Sequence, residues 1–331
     1  MEVPSSAPAR VIVVGGGAIG APIAGMLQGP EVIVVARGAH GEALARDGLD
    51  WRRPSGPARV PLRVAASLAD VKPRPSDLLV LSVMGQDTEA ALRDAPREIA
   101  VVSLQNGDGP LDAIVALGHP LLAGLVYVPA ERRGPGVIAW YGSPLPGAVL
   151  LGGWGGANAF PSAWCDWLVA ALSAGGLLAK RVEPIAPWIR AKLLINLGGI
   201  VGALCDTPAP AVVAAARAEA EAVWRAAGLR YESVASLLEV VGGVGAAEVD
   251  GRPRVGSSTR HALGRGQALE TASLHGPLVR LGAQLGVPTP VNEALIALAE
   301  RAAAEGWRPG SLDLGALLAT TGVLTLLDET K

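Results

Sequence analysis

The sequence predicts an α/β fold, an N-terminal doubly wound parallel sheet followed by an all-helical C-terminal domain. Three observations carry this. Short β-branched runs alternate with helical stretches from residue 10 to about 155. A glycine-rich turn stands directly after the first of these runs. From about Pro184 onward alanine, leucine and arginine dominate, at helical spacing. At roughly 150 residues per domain, 331 residues suggest two domains. The change of texture puts the boundary near 182–185, giving domains 1–183 and 184–331.

The elements follow in order. Residues 11–14, 31–35, 78–83 and 99–104 are continuous apolar runs without alternation, as strands covered on both faces require. Helical segments 18–27, 41–47 and 88–94 lie between them, so the strands run parallel. Beyond Gly134 the chain turns to Gly/Pro-rich segments, and 136–141 and 147–151 read as antiparallel strands closing the first domain. Helices are expected over 188–204, 210–227, 231–240, 267–285 and 292–304.

Half of the residues are apolar, and 28 basic side chains nearly balance 30 acidic ones. With no long charged block, nucleic acid and anionic membranes are not expected partners. Residues 11–30 carry no charge, but six glycines and two prolines interrupt them, and the N-terminus lacks a basic region. A signal peptide or membrane span is therefore not expected. Cys165 and Cys205 are too few for a disulfide framework and fit a reducing, cytoplasmic setting. His40, His119, His261 and His275 are scattered without metal-ligand spacing, so no metal is expected. The chain has no G-x-S-x-G elbow, and its eight tryptophans suggest no function.

Gly15-Gly16-Gly17-Ala18-Ile19-Gly20 is a G-x-G-x-x-G between a strand and a helix, the dinucleotide fingerprint of a Rossmann-type sheet. Gly15 permits the tight turn, Gly17 lets a pyrophosphate approach the backbone, and Gly20 allows close packing of helix on strand. Gly242-Gly243-Val244-Gly245 matches in part but follows a helical stretch, and is set aside. The second strand ends Val34-Val35-Ala36-Arg37, with arginine where an NAD site places an acid. A guanidinium fork suits a 2′-phosphate, so NADP(H) is the expected cofactor.

Gly15-x-Gly-x-x-Gly20, Ala36-Arg37-Gly38 and Leu104-Gln105-Asn106-Gly107-x-Gly109 together resemble ketopantoate reductase (2-dehydropantoate 2-reductase). Trp188-x-x-x-Lys192-Leu193-x-x-Asn196 resembles that family's catalytic-lysine helix, and Ser257-Ser258 with Glu270 its serine and glutamate. The resemblance implies NADPH chemistry on a small carbonyl or alcohol substrate, and a homodimer built on the helical domain. Lys192 is then the general acid and Glu270 orients substrate, with Asn106, Asn196 and Ser258 positioning substrate. Gly15, Gly17, Ala18, Ile19, Gly20, Arg37, Met84 and Asn106 line the cofactor. Independently of the family, hydride delivery to a carbonyl leaves charge on oxygen, which a placed ammonium can protonate. Only Lys72, Lys180, Lys192 and Lys331 are lysines among the 28 basic residues, so a lysine at 192 is a selective choice. Arginine, with its very high pKa, could not donate the proton.

Two positions depart from the family pattern. Met84 stands where the third strand normally ends in lysine, followed here by Gln86 and Asp87, and Ile200 replaces a second asparagine. Both changes remove polar groups, which points away from ketopantoate and toward a larger or less polar 2-oxo acid or ketone. A relative that oxidises an alcohol in a biosynthetic pathway, and an NADP(H)-binding regulator without turnover, are the alternatives. Lys192 and Glu270 speak against the regulator.

Overall fold

A computed structural model describes residues 7–156, 158–267 and 269–323. Lys331 and Ala268, which the sequence places beside Glu270, lie outside them. The first strands are β1 (Arg10–Val14), β2 (Glu31–Val35), β3 (Leu49–Arg52), β4 (Ala58–Val60), β5 (Arg63–Ala65), β6 (Leu78–Leu81) and β7 (Ala100–Ser103). Then come β8 (Leu121–Tyr127), β9 (Ala130–Gly134), β10 (Val137–Trp140), β11 (Gly142–Pro144), β12 (Ala148–Gly153), β13 (Leu178–Arg181) and β14 (Val244–Ala246). The main sheet runs β13-β12-β8-β7-β6-β1-β2-β5. From β5 to β8 every pairing is parallel, while β12 joins β8 antiparallel and β13 joins β12 parallel.

The continuous apolar runs explain this arrangement. All four residues of β6 and of β7 are buried, as are the last four of β1, so helices must cover both faces. The covering helices are α1 (Gly20–Met26), α2 (Gly38–Asp47), α3 (Leu68–Val71), α4 (Thr88–Leu92), α5 (Gly109–Ala116) and α6 (Ser162–Ala174). The chain passes from β1 to β2 and β5 on one side, then returns to β6 on the other. Strand order therefore reverses at β1, and the turn after β1 opens where doubly wound sheets bind ligands. The strand expected at 136–141 forms as β10, antiparallel to β9 yet parallel to β3, in a separate sheet ordered β4-β3-β10-β9.

The helices that follow are α7 (Ala186–Asn196), α8 (Gly199–Leu204), α9 (Pro210–Ala226), α10 (Val234–Val240) and α11 (Ser258–Gly264). They continue with α12 (Thr271–Leu274), α13 (Gly276–Leu285), α14 (Pro290–Ala304) and α15 (Leu314–Thr321). Two expected helices are each broken in two. Residues 188–204 divide at Gly198-Gly199, where a side chain on Gly199 would lie 2.9 Å from Thr259 Oγ1, so α8 and α11 meet only over a glycine. Residues 267–285 divide before Pro277, which has no N–H to continue a helix and sits in the first turn of α13.

The chain folds as two units. The first holds residues up to 106, 110–186 and 238–254; the second holds 107–109, 187–237 and residues from 255 onward. A single boundary at 182–185 is therefore corrected. The segment set aside as a false fingerprint returns to the first unit, where β14 pairs antiparallel with β11. Arg133 secures it by donating to Asp250 at 2.7 Å and to the Val249 carbonyl at 2.9 Å. Among the described residues no helix is long and apolar enough to cross a membrane.

Candidate active site

In the first unit the glycine-rich turn is built as its spacing demands. Gly15 has φ +109°, and a Cβ there would strike Ser82 and Val83 backbone at 2.9 Å. A Cβ on Gly20 would fall 1.9 Å from the Gly15 carbonyl. Gly17 differs, because a Cβ would meet nothing within 4 Å and the backbone lies open on that side. The backbone N–H groups of residues 16–20 have no hydrogen-bond partner among the described residues. No side chain caps α1 at Ile19. Unpartnered donors around an open glycine fit an anionic diphosphate.

Arg37 stands two residues beyond β2, exposed and extended (φ −108°, ψ 162°) as the N-cap of α2. Among the described residues nothing pairs with its guanidinium. Met84 is half-buried in the turn after β6, the strand next to β1. Its carbonyl and that of Val83 accept from Gln105 Nε2 at 3.3 and 3.2 Å, while Gln105 Oε1 accepts from Ser103 Oγ at 3.0 Å. Buried Gln105 thus ties the Met84 turn to the end of β7. Sequence reasoning used Gln105 only as part of a motif, since an amide's partners are not legible from its neighbours in sequence. Asn106 follows it, half-buried.

In the second unit α7 presents Lys192 and, one turn later, Asn196 on one face. Lys192 keeps part of its surface in solvent, yet the surrounding protein desolvates the ammonium and pulls its pKa down to about 8, an effect that Glu270 partly offsets. Asn196 Nδ2 is buried with no hydrogen-bond partner among the described residues. Glu270 is the N-cap of α12, a helix of four residues. So short a helix needs tertiary support. Leu274 provides some of it, sharing an apolar cluster with Leu193, Leu194 and Leu197 at the end of α7. More comes from fully buried His275, whose Nδ1 lies 2.8 Å from Asn292 Oδ1. Asn292 Nδ2 donates in turn to Glu219 at 2.6 Å and to the Ala216 carbonyl at 3.0 Å.

Residues 107–109 belong to this unit too. Asp108 accepts from buried Arg190 Nε at 3.2 Å, and Gly107 (φ +83°) leaves room for Leu274. Ser258 is exposed at the start of α11, whereas Ser257 caps that helix by accepting from the Arg260 N–H. Ile200 is corrected. Its side chain is 1% exposed inside the apolar core of α8, α9 and α14, so it stands in for no polar contact to a ligand.

Comparison with known proteins identifies the family. The model described as "Ketopantoate reductase PanE/ApbA" matches residues 11–156, and that described as "Ketopantoate reductase PanE/ApbA C terminal" matches 191–303. The chain belongs to the ketopantoate reductase family of oxidoreductases. The 2-dehydropantoate 2-reductase of Halobacterium salinarum is 30% identical over 317 residues, covering 90% of this chain and all of that protein. A PanE/ApbA family ketopantoate reductase from Ralstonia eutropha, solved by crystallography, is 27% identical with a TM-score of 0.72, over 90% of this chain and 99% of that one. D-mandelate dehydrogenase, solved with NADH and anilino(oxo)acetate, is 20% identical with a TM-score of 0.71, over 90% of this chain and 99% of that one. That last likeness speaks for the fold alone.

Proposed function

We propose that this chain is an NADPH-dependent reductase that converts a 2-oxo acid or related ketone to the alcohol. The observation that carries the reading is Lys192, an ammonium held near pKa 8 with Glu270 as its charge partner, one turn ahead of Asn196 Nδ2, which has no partner among the described residues. Bound nicotinamide supplies the hydride. Lys192 then donates its Nζ proton to the oxygen that gains charge, and a pKa near working pH suits a group that both holds and releases a proton. Glu270 orients substrate and keeps Lys192 protonated, while Asn106, Asn196 and Ser258 hold substrate polar groups. Gly15 makes the turn from which residues 16–20 offer the diphosphate their backbone N–H groups, Met84 lines the nicotinamide side, and Arg37 takes the 2′-phosphate. The same proposal includes a cytoplasmic homodimer.

With Ile200 in the core, Met84 alone supports a substrate less polar than ketopantoate, and ketopantoate becomes the first compound to test. The assay is NADPH oxidation across a panel of 2-oxo acids and ketones, with ketopantoate at its head. A kcat/KM of about 10⁴ M⁻¹s⁻¹ or more identifies a native substrate class. No turnover of any compound, with NADPH still tightly bound, supports the regulator instead. NADPH should bind at least tenfold more tightly than NADH, about 1.4 kcal/mol, and Arg37→Ala should remove most of that preference. Equal affinities in a fluorescence titration of the unmodified protein would overturn the cofactor assignment.

A further inference from the structure

The carbonyls of residues 15–19 in the glycine-rich turn are all occupied, and three of them are held by side chains from outside the fingerprint. Gly15 O accepts from Ser82 Oγ at 2.7 Å, Gly17 O from the Ala21 N–H at 3.3 Å, and Ile19 O from the Ile23 N–H at 3.1 Å. Gly16 O lies 2.6 Å from His40 Nε2, and Ala18 O accepts from Trp140 Nε1 at 2.7 Å. His40 is on α2 and Trp140 on β10, and both are buried.

The hydrogen bonding of His40 fixes its tautomer. The Gly136 N–H, which can only donate, reaches Nδ1 at 3.0 Å. Nδ1 therefore carries no proton, and Nε2 bears the hydrogen given to Gly16. Burial lowers the ring's pKa, which keeps this neutral form. Trp140 is fixed edge-on against Trp51, with ring centroids 5.2 Å apart.

A trans peptide is rigid, so a carbonyl held on one side sends the next residue's N–H to the other. His40, by fixing the Gly16 carbonyl, aims the Gly17 N–H; Trp140, by fixing the Ala18 carbonyl, aims the Ile19 N–H. Both of those N–H groups belong to the unpartnered row at residues 16–20. Glycine by itself would let these peptide planes rotate. We propose that His40 and Trp140 are positioning residues for dinucleotide binding, holding the peptide planes so that the turn's N–H groups face the diphosphate. Neither touches the ligand. This inference rests on the dinucleotide reading of the turn.

The test titrates NADPH and NADH, by fluorescence, into the full chain and its variants. His40→Ala and Trp140→Phe should each weaken both dinucleotides by about five- to tenfold, the worth of one lost hydrogen bond to a neutral group, and leave the NADPH/NADH ratio unchanged. Arg37→Ala, by contrast, should change the ratio. His40→Asn places an acceptor where Nδ1 stands, keeping the Gly136 bond without the Gly16 one, and should bind as weakly as His40→Ala. His40→Gln places a donor where Nε2 stands and should recover most of the affinity. A role confined to stability would not separate glutamine from asparagine in this way. Unchanged affinity in His40→Ala, equal affinities for the asparagine and glutamine variants, or a shifted NADPH/NADH ratio would each overturn the inference. If the unmodified protein bound neither dinucleotide, the functional reading itself would fail.

Discussion

Gly17 and Gly20 belong to one motif, yet the structure gives them opposite sensitivities. Gly20→Ala would drive a methyl into the Gly15 carbonyl, 1.9 Å away, and should lower the melting temperature. Gly17→Ala meets open space and no positive φ, so its melting temperature should stay near that of the unmodified chain. The methyl would stand where the diphosphate approaches, and dinucleotide binding should be lost. Calorimetry and a titration on both variants check the pair; a Gly17→Ala protein that binds normally would remove the turn from the site. Lys192 brings a pH dependence. Its ammonium, pulled down to about 8, is charged below that pH and neutral above it. A general acid must carry its proton, so kcat should fall as pH rises through about 8. A profile flat up to pH 10 would show that some other group donates.

At the scale of elements, α12 matters because Glu270 opens it and four residues cannot hold themselves. The helix is anchored at its far end, where His275 donates to Asn292 on α14 and Asn292 donates to Glu219 on α9. Burial drops the His275 pKa to about 4, so the folded ring is neutral at neutral pH. The unfolded ring takes up a proton near pH 6.5 while the folded ring does not until about 4. Stability should therefore be full above pH 6.5 and fall as pH drops to 4, by up to about 3 kcal/mol from this residue. His40 and His119, whose pKa values burial also lowers, act with the same sign. The share of His275 is read by comparing urea midpoints at pH 7 and pH 4.5 in the unmodified protein and in His275→Asn, which retains a donor toward Asn292. The variant should lose less stability on acidification. An equal loss in both would mean that His275 is not the group responsible.

At the scale of the molecule, the residues proposed to bind cofactor and those proposed to donate the proton belong to different units, the first with the glycine-rich turn and Arg37, the second with Lys192 and Glu270. Substitutions should divide in the same way. Lys192→Ala should lose about 10²–10⁴-fold in kcat and leave the NADPH Kd unchanged. Steady-state kinetics and a titration on one preparation check this. A Lys192→Ala protein with near-normal kcat would end the catalytic assignment, while loss of NADPH affinity would show that the two functions are not separable.

Much of this was legible in sequence, and the reason is locality. Continuous apolar runs dictate buried parallel strands, a G-x-G-x-x-G after a strand dictates a turn that only glycine can make, and lysine four residues before asparagine dictates a shared helical face. These depend on the chain's own backbone within a few residues. What depended on distant neighbours had to come from the tertiary structure. Ile200 and a ligand-facing residue look alike in sequence, and only the packing of α8 against α9 and α14 puts the side chain in the core. The segment 238–254 carries no signal that it returns to the first unit, because strand partners such as β11 and β14 are about 100 residues apart. His40 was one of four scattered histidines until folding set its ring between Gly16 and Gly136. A hydrogen bond needs a partner at a set distance and angle, and only the folded chain supplies one.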